Sequence, residues 1–392
     1  MYKIIKPASI INKDFESKII ISDDIFSNLS TIIAKYPKSL IITDENIKEK
    51  LLGDFSPINL KLFAKNIKAK KNIAEDLARE LANYNYAIAI GSGTINDLVK
   101  YAAYIANKPY VVFATAPSMN GYYSENASLI ANNLKQSFKA KIALAGYFDL
   151  NILANAPIRL IKSGLSDSIC STICRADWLA SNYILSSYYS EIPFDLTYEL
   201  EEKLFKNTDL LVKKDLSMIS LLTEILIYSG LAMTFCSGSY PASQGEHMIA
   251  HLYEMQDAKN ANLLYHGEHI AITSLTMIDI QENFLKLDKF KLKNKNINST
   301  LTNIKIVKEQ LDINVTNEIL AKKWPGLKAK IKERFRSKAE IKHILKQANI
   351  DVLKNKKLLN NKIYIESVNN AFLTRDRFTF LDLNYYFNQN DQ

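Results

Sequence analysis

Between Ser39 and Phe113, short apolar runs alternate with amphipathic stretches, and this rhythm narrows the possible folds more than any other feature. Ser39-Leu-Ile-Ile-Thr43, Ile58–Phe63, Tyr86-Ala-Ile-Ala-Ile90 and Tyr110-Val-Val-Phe113 have the length and apolar content of buried strands. Asp44-Glu-Asn opens a helix that runs through Leu52 and ends at Gly53. Lys71–Asn83 places Ile73, Leu77 and Leu81 on one helical face, and Ile95–Ala106 is a third helix. This βαβαβ pattern predicts an α/β domain with a parallel sheet covered by helices, and it puts ligands at the carboxyl ends of the strands.

Two features lie at such ends. Gly91-Ser-Gly-Thr94 is a tight turn between strand and helix. Its glycines let the backbone approach a phosphate, and the helix N-terminus offers free N–H groups and a positive dipole. It is not the G-x-G-x-x-G fingerprint of the common dinucleotide fold. Asp44, just after the first strand, is placed either to bond an adenosine ribose hydroxyl or to cap its own helix. The polar loop Ala116-Pro-Ser-Met-Asn-Gly-Tyr-Tyr123 follows another strand. Ala127–Ala131 and Lys141–Ala145 read as a hairpin or edge pair. Asn151–Arg159, with Pro157, marks the change to a second domain, giving an α/β dinucleotide-binding domain over residues 1–157 and an α-helical domain over 158–392.

The second half has helical periodicity. Ser163–Ala180 forms an apolar helix with Asp167 in its first turn and Asp177 in a structural role, and Ser217–Thr234 is a long apolar helix. The chain has five histidines. Four of them fall in Gly245-Glu-His-Met-Ile-Ala-His-Leu-Tyr-Glu-Met255 and Tyr265-His-Gly-Glu-His269, while His343 stands alone. His247 and His251 share one helix face. Imidazoles from separate segments plus a carboxylate suit a divalent metal with an open position, and we take Asp167, His247 and His266 as its ligands. His269 reads as structural. His247-x-x-x-His251 lacks the metalloprotease glutamate, because Met248 stands there and Glu246 precedes the first histidine.

Net charge is +9, but the lysines are spread without an aromatic-interleaved stripe, which argues against a nucleic-acid partner. The N-terminus lacks a signal-peptide pattern, and no apolar run reaches the ~20 residues of a bilayer span, so a membrane partner is not expected. Cys170, Cys174 and Cys236 form no disulfide framework, which fits a reducing cytoplasm, and Cys170 and Cys174 read as buried thiols.

Four ordered motifs then point to a family. They are Gly91-Ser-Gly-Thr-Ile-Asn-Asp97, Thr115-Ala-Pro-Ser-Met-Asn-Gly-Tyr122, Gly164-Leu-Ser-Asp167 with Ala176-Asp-Trp178, and Pro241-Ala-Ser-x-x-Glu-His247-x-x-x-His251-x-x-Glu-Met255. Over roughly residues 35–285 the chain resembles sn-glycerol-1-phosphate dehydrogenases, in particular their AraM-like bacterial branch. That branch belongs with the iron-type alcohol dehydrogenases, glycerol dehydrogenases and dehydroquinate synthases. The resemblance implies a dehydroquinate synthase-like fold with NAD, or NADP, and one divalent ion (zinc, nickel or iron). It also implies a homodimer or higher oligomer that reduces dihydroxyacetone phosphate, or a related phosphorylated ketone, to sn-glycerol 1-phosphate. Asp167, His247 and His266 match its metal ligands. Gly91, Ser92, Gly93 and Thr94 match its pyrophosphate loop, with Asp97 grouped beside them as cofactor-binding. Asp44 matches the ribose position, and Thr115 and Ser118 match the nicotinamide side. His251 matches a position beside nicotinamide and substrate, and we group Asn120 with it as catalytic.

Iron-type relatives carry a fourth ligand, a histidine, where this chain has Ser171. The branch often has Asp at position 120 and Arg at position 240, where this chain has Asn120 and Tyr240. Two other functions compete: a dehydroquinate synthase-like cyclase using bound NAD transiently, and a non-catalytic nucleotide-binding scaffold. Asp167 and the glycine turn argue against the first, and the intact metal-ligand set argues against the second.

Overall fold

The apolar runs are strands of one sheet in the computed structural model, which describes residues 2–5, 17–53, 59–132, 134–295, 297, 308 and 310–387. The strands are β1 (Tyr2–Ile5), β2 (Lys18–Ser22), β3 (Ser39–Asp44), β4 (Leu60–Phe63), β5 (Tyr86–Gly91), β6 (Tyr110–Ala114), β7 (Asn126–Ala131), β8 (Leu134–Lys139) and β9 (Ala145–Asp149). Seven of them form a sheet in the order β1-β2-β9-β6-β5-β3-β4, and β7 with β8 forms a separate hairpin. All neighbours in the sheet are parallel except β1, which pairs antiparallel with β2 at the edge. Ile88 lies opposite Ile41 on one side and Val111 on the other. Ile41, Ile88, Ile90, Val111 and Phe113 form one buried cluster, where Phe113 stacks on Tyr147 at 4.6 Å between ring centroids.

Two expectations are corrected here. Ala127–Ala131 does form a hairpin, but its partner is β8 rather than Lys141–Ala145. Ala145–Asp149 is buried throughout and sits inside the main sheet between β2 and β6. A run buried on both faces belongs in a sheet interior, not at an edge. The sequence reading also passed over β2, whose Ile19 and Ile21 are fully buried. Ile58, expected to begin the second strand, lies outside the described residues.

The chain divides into two compact units. The first joins residues 1–168 to 196–238, and the second joins 169–195 to 239–392. The expected boundary between residues 157 and 158 falls inside the first unit. Helix α1 (Lys71–Leu81) and helix α2 (Gly93–Ile105) belong to that unit's α/β half. Helix α3 (Ile158–Ile169) and helix α5 (Leu216–Phe235) pack beside the loop after β6. Both contacts need glycine: a Cβ on Gly164 would stand 1.9 Å from the Pro117 carbonyl oxygen, and one on Gly230 would stand 2.5 Å from that of Asn120.

By length and apolar composition, α5 is long enough to cross a bilayer, which corrects the expectation that no segment is. In this fold it is a core helix: most of it is buried, and Thr234 Oγ1 donates to the Tyr123 carbonyl at 3.1 Å.

The second unit is helical. Helix α4 (Ser171–Leu185), helix α6 (Gly245–Gln256) and helix α7 (His266–Lys286) form its centre. Asp177 on α4 holds the start of α6 and the C-terminal region together. Its carboxylate accepts from the Gly245 N–H, the Phe380 N–H and Gln281 Nε2, each at 3.0 Å. Burial pushes its pKa up to about 7, against the pull of those donors.

Candidate active site

In the first unit, the glycine turn closes the carboxyl end of β5. Ser92 is the N-cap of α2, and its carbonyl accepts the first helical bond, from the Asn96 N–H at 3.0 Å. The N–H groups of Gly93, Thr94 and Ile95 precede that bond and open the helix toward the strand ends. A Cβ on Gly91 would meet Ile95 Cβ at 2.7 Å, and one on Gly93 would meet Met119 Sδ at 2.6 Å. Both glycines are thus required by the close packing of Ile95 and Met119 against the turn.

Asp44 stands at the neighbouring end of β3, where its Oδ1 accepts the Ile47 N–H at 3.1 Å. The helix-cap function is thus realised. Burial raises the carboxyl pKa, and this bond opposes the rise. Thr115 and Ser118 are buried in the loop after β6, and the Ser118 carbonyl accepts from Ser163 Oγ at 3.3 Å.

Asp97, grouped above as cofactor-binding, has protein partners on both carboxylate oxygens. It is buried, and its Oδ2 accepts the Ser128 N–H at 3.1 Å while Oδ1 accepts from Asn96 Nδ2 at 3.2 Å and lies 3.8 Å from Lys100 Nζ. Three positions along a helix from the Ser92–Thr94 end turn its side chain toward the β7–β8 hairpin.

Asp167 is buried in the last turn of α3, not in a first turn, because the helix already begins at Ile158 after Pro157. Its Oδ2 accepts the Asn120 backbone N–H at 2.9 Å. Asn120 thus touches Asp167 through its main chain, and this contact is independent of the residue type at position 120.

In the second unit, three imidazoles gather. The ring centroids of His247 and His266 are 5.2 Å apart, those of His247 and His251 5.8 Å, and those of His251 and His266 5.9 Å. His247 is buried on α6, and its Nδ1 lies 2.7 Å from Glu246 Oε1. A carboxylate on Nδ1 fixes the tautomer with the proton there and leaves Nε2 as a lone-pair donor. Burial tends to raise the Glu246 pKa, but the bond and charge of His247 outweigh it and hold the carboxyl below its ordinary value. His266 is the first residue of α7, so its side chain projects from a helix end. Two imidazoles this close, one with an oriented Nε2, fit a single divalent ion with Zn–N distances of about 2.0–2.1 Å. His269 is buried and directs Nε2 to the Ala261 carbonyl at 3.0 Å, the structural role expected of it.

Sequence reasoning missed three residues here. Glu246 was set aside for not occupying the metalloprotease position. Arg375 and Arg377 lie beyond the region of resemblance. Arg375 Nη2 lies 3.2 Å from His251 Nδ1, and its Nη1 donates to Ser243 Oγ at 2.9 Å. Arg377 Nη1 donates to the Ser243 carbonyl at 2.7 Å, Nη2 donates to Ser239 Oγ at 3.0 Å, and the guanidinium stands 4.2 Å over the Tyr240 ring. Burial, with the like charge of Arg377, lowers the Arg375 pKa to about 10. The signal available in the sequence was the Arg375-Asp-Arg377 pair in a chain whose other basic residues are mostly lysine.

Comparison with known proteins places this arrangement. Residues 21–157 match the family model described as iron-containing alcohol dehydrogenase. The glycerol-1-phosphate dehydrogenase [NAD(P)+] of Sulfurisphaera tokodaii is 31% identical over 286 residues, covering 70% of this chain and 81% of the relative. The chain belongs to the glycerol-1-phosphate dehydrogenase family. It is thereby an enzyme of the oxidoreductase class. Other members align over less of their length: that of Metallosphaera sedula is 35% identical over 53% of this chain and 58% of its own. Among solved structures, a probable glycerol dehydrogenase from Sinorhizobium meliloti superposes with a TM-score of 0.65 at 14% identity, covering 95% of both chains. An iron-containing alcohol dehydrogenase from Thermococcus thioreducens gives a TM-score of 0.60 at 12% identity, covering 91% of this chain and 90% of that one. These likenesses establish the fold: a parallel-rich N-terminal sheet followed by a helical region.

Proposed function

We propose that this family member is a metal-dependent NAD(P)H-linked dehydrogenase that reduces dihydroxyacetone phosphate to sn-glycerol 1-phosphate. The observation that carries the reading is the His247–His266 pair at 5.2 Å, with Glu246 orienting His247. In this proposal Asp167 completes the ligand set. Its support is chemical: it is a buried carboxylate at the end of α3, one helical turn before Cys170, whose Sγ lies within 4.8 Å of a His247 ligand atom. A bound divalent ion would supply a Lewis acid for the substrate oxygen, and the nicotinamide would supply the hydride.

The chain's own residues do the rest. Gly91, Ser92, Gly93 and Thr94 present the N-terminus of α2 to the pyrophosphate. Asp44 faces the ribose and favours NAD over NADP, because a 2′-phosphate would sit against a carboxylate. Thr115 and Ser118 line the nicotinamide side. His251 stands beside the substrate. With Nδ1 accepting from the Arg375 guanidinium, its neutral ring carries the proton on Nε2, from which it can donate a hydrogen bond that orients the substrate oxygen. The buried state of all three cysteines supports a reducing, cytoplasmic setting.

The test is a substrate and metal panel. Protein loaded in turn with zinc, nickel and iron is given NADH or NADPH with dihydroxyacetone phosphate, and the product is analysed for its stereochemistry. The expected result is stoichiometric cofactor oxidation with formation of sn-glycerol 1-phosphate. Absence of cofactor oxidation with every metal would overturn the proposal, and transient oxidation without net turnover would favour the cyclase.

A further inference from the structure

Arg375 and Arg377 place two guanidinium groups beside the histidine cluster, and among the described residues neither forms an ion pair. Their partners are neutral: the Ser243 carbonyl and hydroxyl, the Ser239 hydroxyl, the Tyr240 ring and His251 Nδ1. Of the nearby carboxylates, Glu246 acts on both arginines through its charge without pairing with either, and Asp312 and Asp376 line the same cavity as Arg377. Glu246 accepts from His247 Nδ1 and from the Gln244 N–H at 3.0 Å. Asp376, between the two arginines, is exposed. Asp312 caps its own helix through the Asn314 and Val315 N–H groups. The third nearby cation, Lys308, is already neutralised by Asp382 at 2.7 Å.

Two partly buried guanidinium groups that form no direct ion pair are only partly compensated by the charge of Glu246, and a bound anion would complete the compensation. Each guanidinium has five N–H donors, and the protein takes only some of them. Arg377 also lines a cavity of about 510 Å³, together with Tyr240, Gln244 and Trp178. Tyr240 lies flat against Trp178, with ring centroids 5.5 Å apart and an interplanar angle of 15°, so the Arg377 guanidinium forms the third layer of a stack. A stacked guanidinium is held in one plane, as bidentate recognition of a tetrahedral oxyanion requires.

We propose that Arg377, supported by Arg375, binds the phosphate group of the substrate and sets the preference for a phosphorylated over an unphosphorylated ketone. This deepens the dehydrogenase reading and rests on it. Arg375 links Arg377 to the histidine cluster, since its Nη2 meets His251 and its Nη1 shares Ser243 with Arg377. Tyr240 contributes no charge; its part is to present the Arg377 plane.

The experiment has two readouts. Inorganic phosphate is titrated calorimetrically into the metal-loaded protein and into Arg377→Ala, Arg377→Lys and Arg377→Ala/Tyr240→Arg variants, with thermal melts to confirm folding. In parallel, kcat and KM are measured with dihydroxyacetone phosphate and with dihydroxyacetone. Arg377→Ala is expected to weaken phosphate binding and raise KM for the phosphorylated ketone by about tenfold or more, the scale of a lost charge-assisted contact. The loss should be far smaller for dihydroxyacetone. Lysine should restore little, and arginine at position 240 should restore part of the affinity from the opposite side of the stack. Unchanged phosphate affinity in a folded Arg377→Ala protein would overturn the inference. If the wild type binds phosphate through Arg377 but turns over neither ketone, the dehydrogenase reading fails and the anion site stands.

Discussion

Glu246 Oε1 lies 2.7 Å from His247 Nδ1, and the two residues are adjacent in sequence on the first turn of α6. Neighbours on a helix diverge by about 100°, so this bond requires the carboxylate to fold back beneath the imidazole. It is stabilised there by the Gln244 N–H at 3.0 Å and Cys174 Sγ at 3.3 Å.

Glu246→Gln should therefore leave the fold intact and weaken metal binding. The amide can still offer an oxygen to Nδ1–H, but it loses the charge that raises imidazole basicity. The expected drop in metal affinity is about 10–100-fold, as for other carboxylates behind a ligating histidine. Competition with a chromophoric chelator measures it. An affinity equal to wild type would remove Glu246 from the site.

Asp167→Ala tests the proposed ligand set. It should abolish metal retention and turnover. It also strips the Asn120 N–H of its acceptor at 2.9 Å, so the loop after β6 should loosen. Asp167→Asn keeps that acceptor but not the charge, and it should lose the metal while retaining hydrogen-exchange protection at Asn120. Full activity in either variant would sink the assignment.

Gly91→Ala tests the cofactor turn. The new methyl would lie 2.7 Å from Ile95 Cβ, a β-branched side chain that cannot swing away. The first turn of α2 must shift, at about 1–3 kcal/mol for an overpacked contact. KM for NADH should rise while metal content stays the same. A folded variant with wild-type KM would show that the turn does not contact the cofactor.

The fold was legible wherever one periodicity dominated. β3, β5 and β6 were readable because they are apolar on both faces. β9 was passed over beyond Ala145 because Ala145-Gly-Tyr-Phe-Asp149 is short and carries a glycine and an aspartate, which weaken a strand signal, and its neighbour β2 is distant in sequence. Asp167 was placed at the wrong end of its helix because a cap can be read only if the start is known, and Pro157 was read as a boundary rather than as that start. The histidine cluster was visible from composition. Glu246, Arg375 and Arg377 were not, because nothing local ties a C-terminal Arg-Asp-Arg to a helix more than a hundred residues earlier. Only the packing of the chain brings a guanidinium within 3.2 Å of His251.

Lys100 gives a prediction with a definite sign in pH. It is fully buried on α2, and its Nζ donates to the Gly121 carbonyl and, at 3.1 Å, to that of Asn126. It thus pins the same turn that offers the Asn120 N–H to Asp167. Burial lowers its pKa from 10.5 to about 8, although Asp97 at 3.8 Å pulls the other way. Below about 8 the ammonium is charged in both folded and unfolded states, so the full burial penalty is borne. Between about 8 and 10.5 the unfolded chain holds the proton and the folded chain has released it, so this group's contribution rises with pH. At about 1.4 kcal/mol per pKa unit, the gain across that window is on the order of 3 kcal/mol. Lys100→Met lacks the titration and leaves both carbonyls without their donor. Denaturant unfolding of both proteins at a pH below 8 and again near 10.5 isolates the effect, because the other lysines and tyrosines cancel in the difference. The stability advantage of the wild type over Lys100→Met should widen toward the higher pH. A constant or shrinking gap would mean that Lys100 keeps its proton in the folded state, held by Asp97 and the two carbonyls.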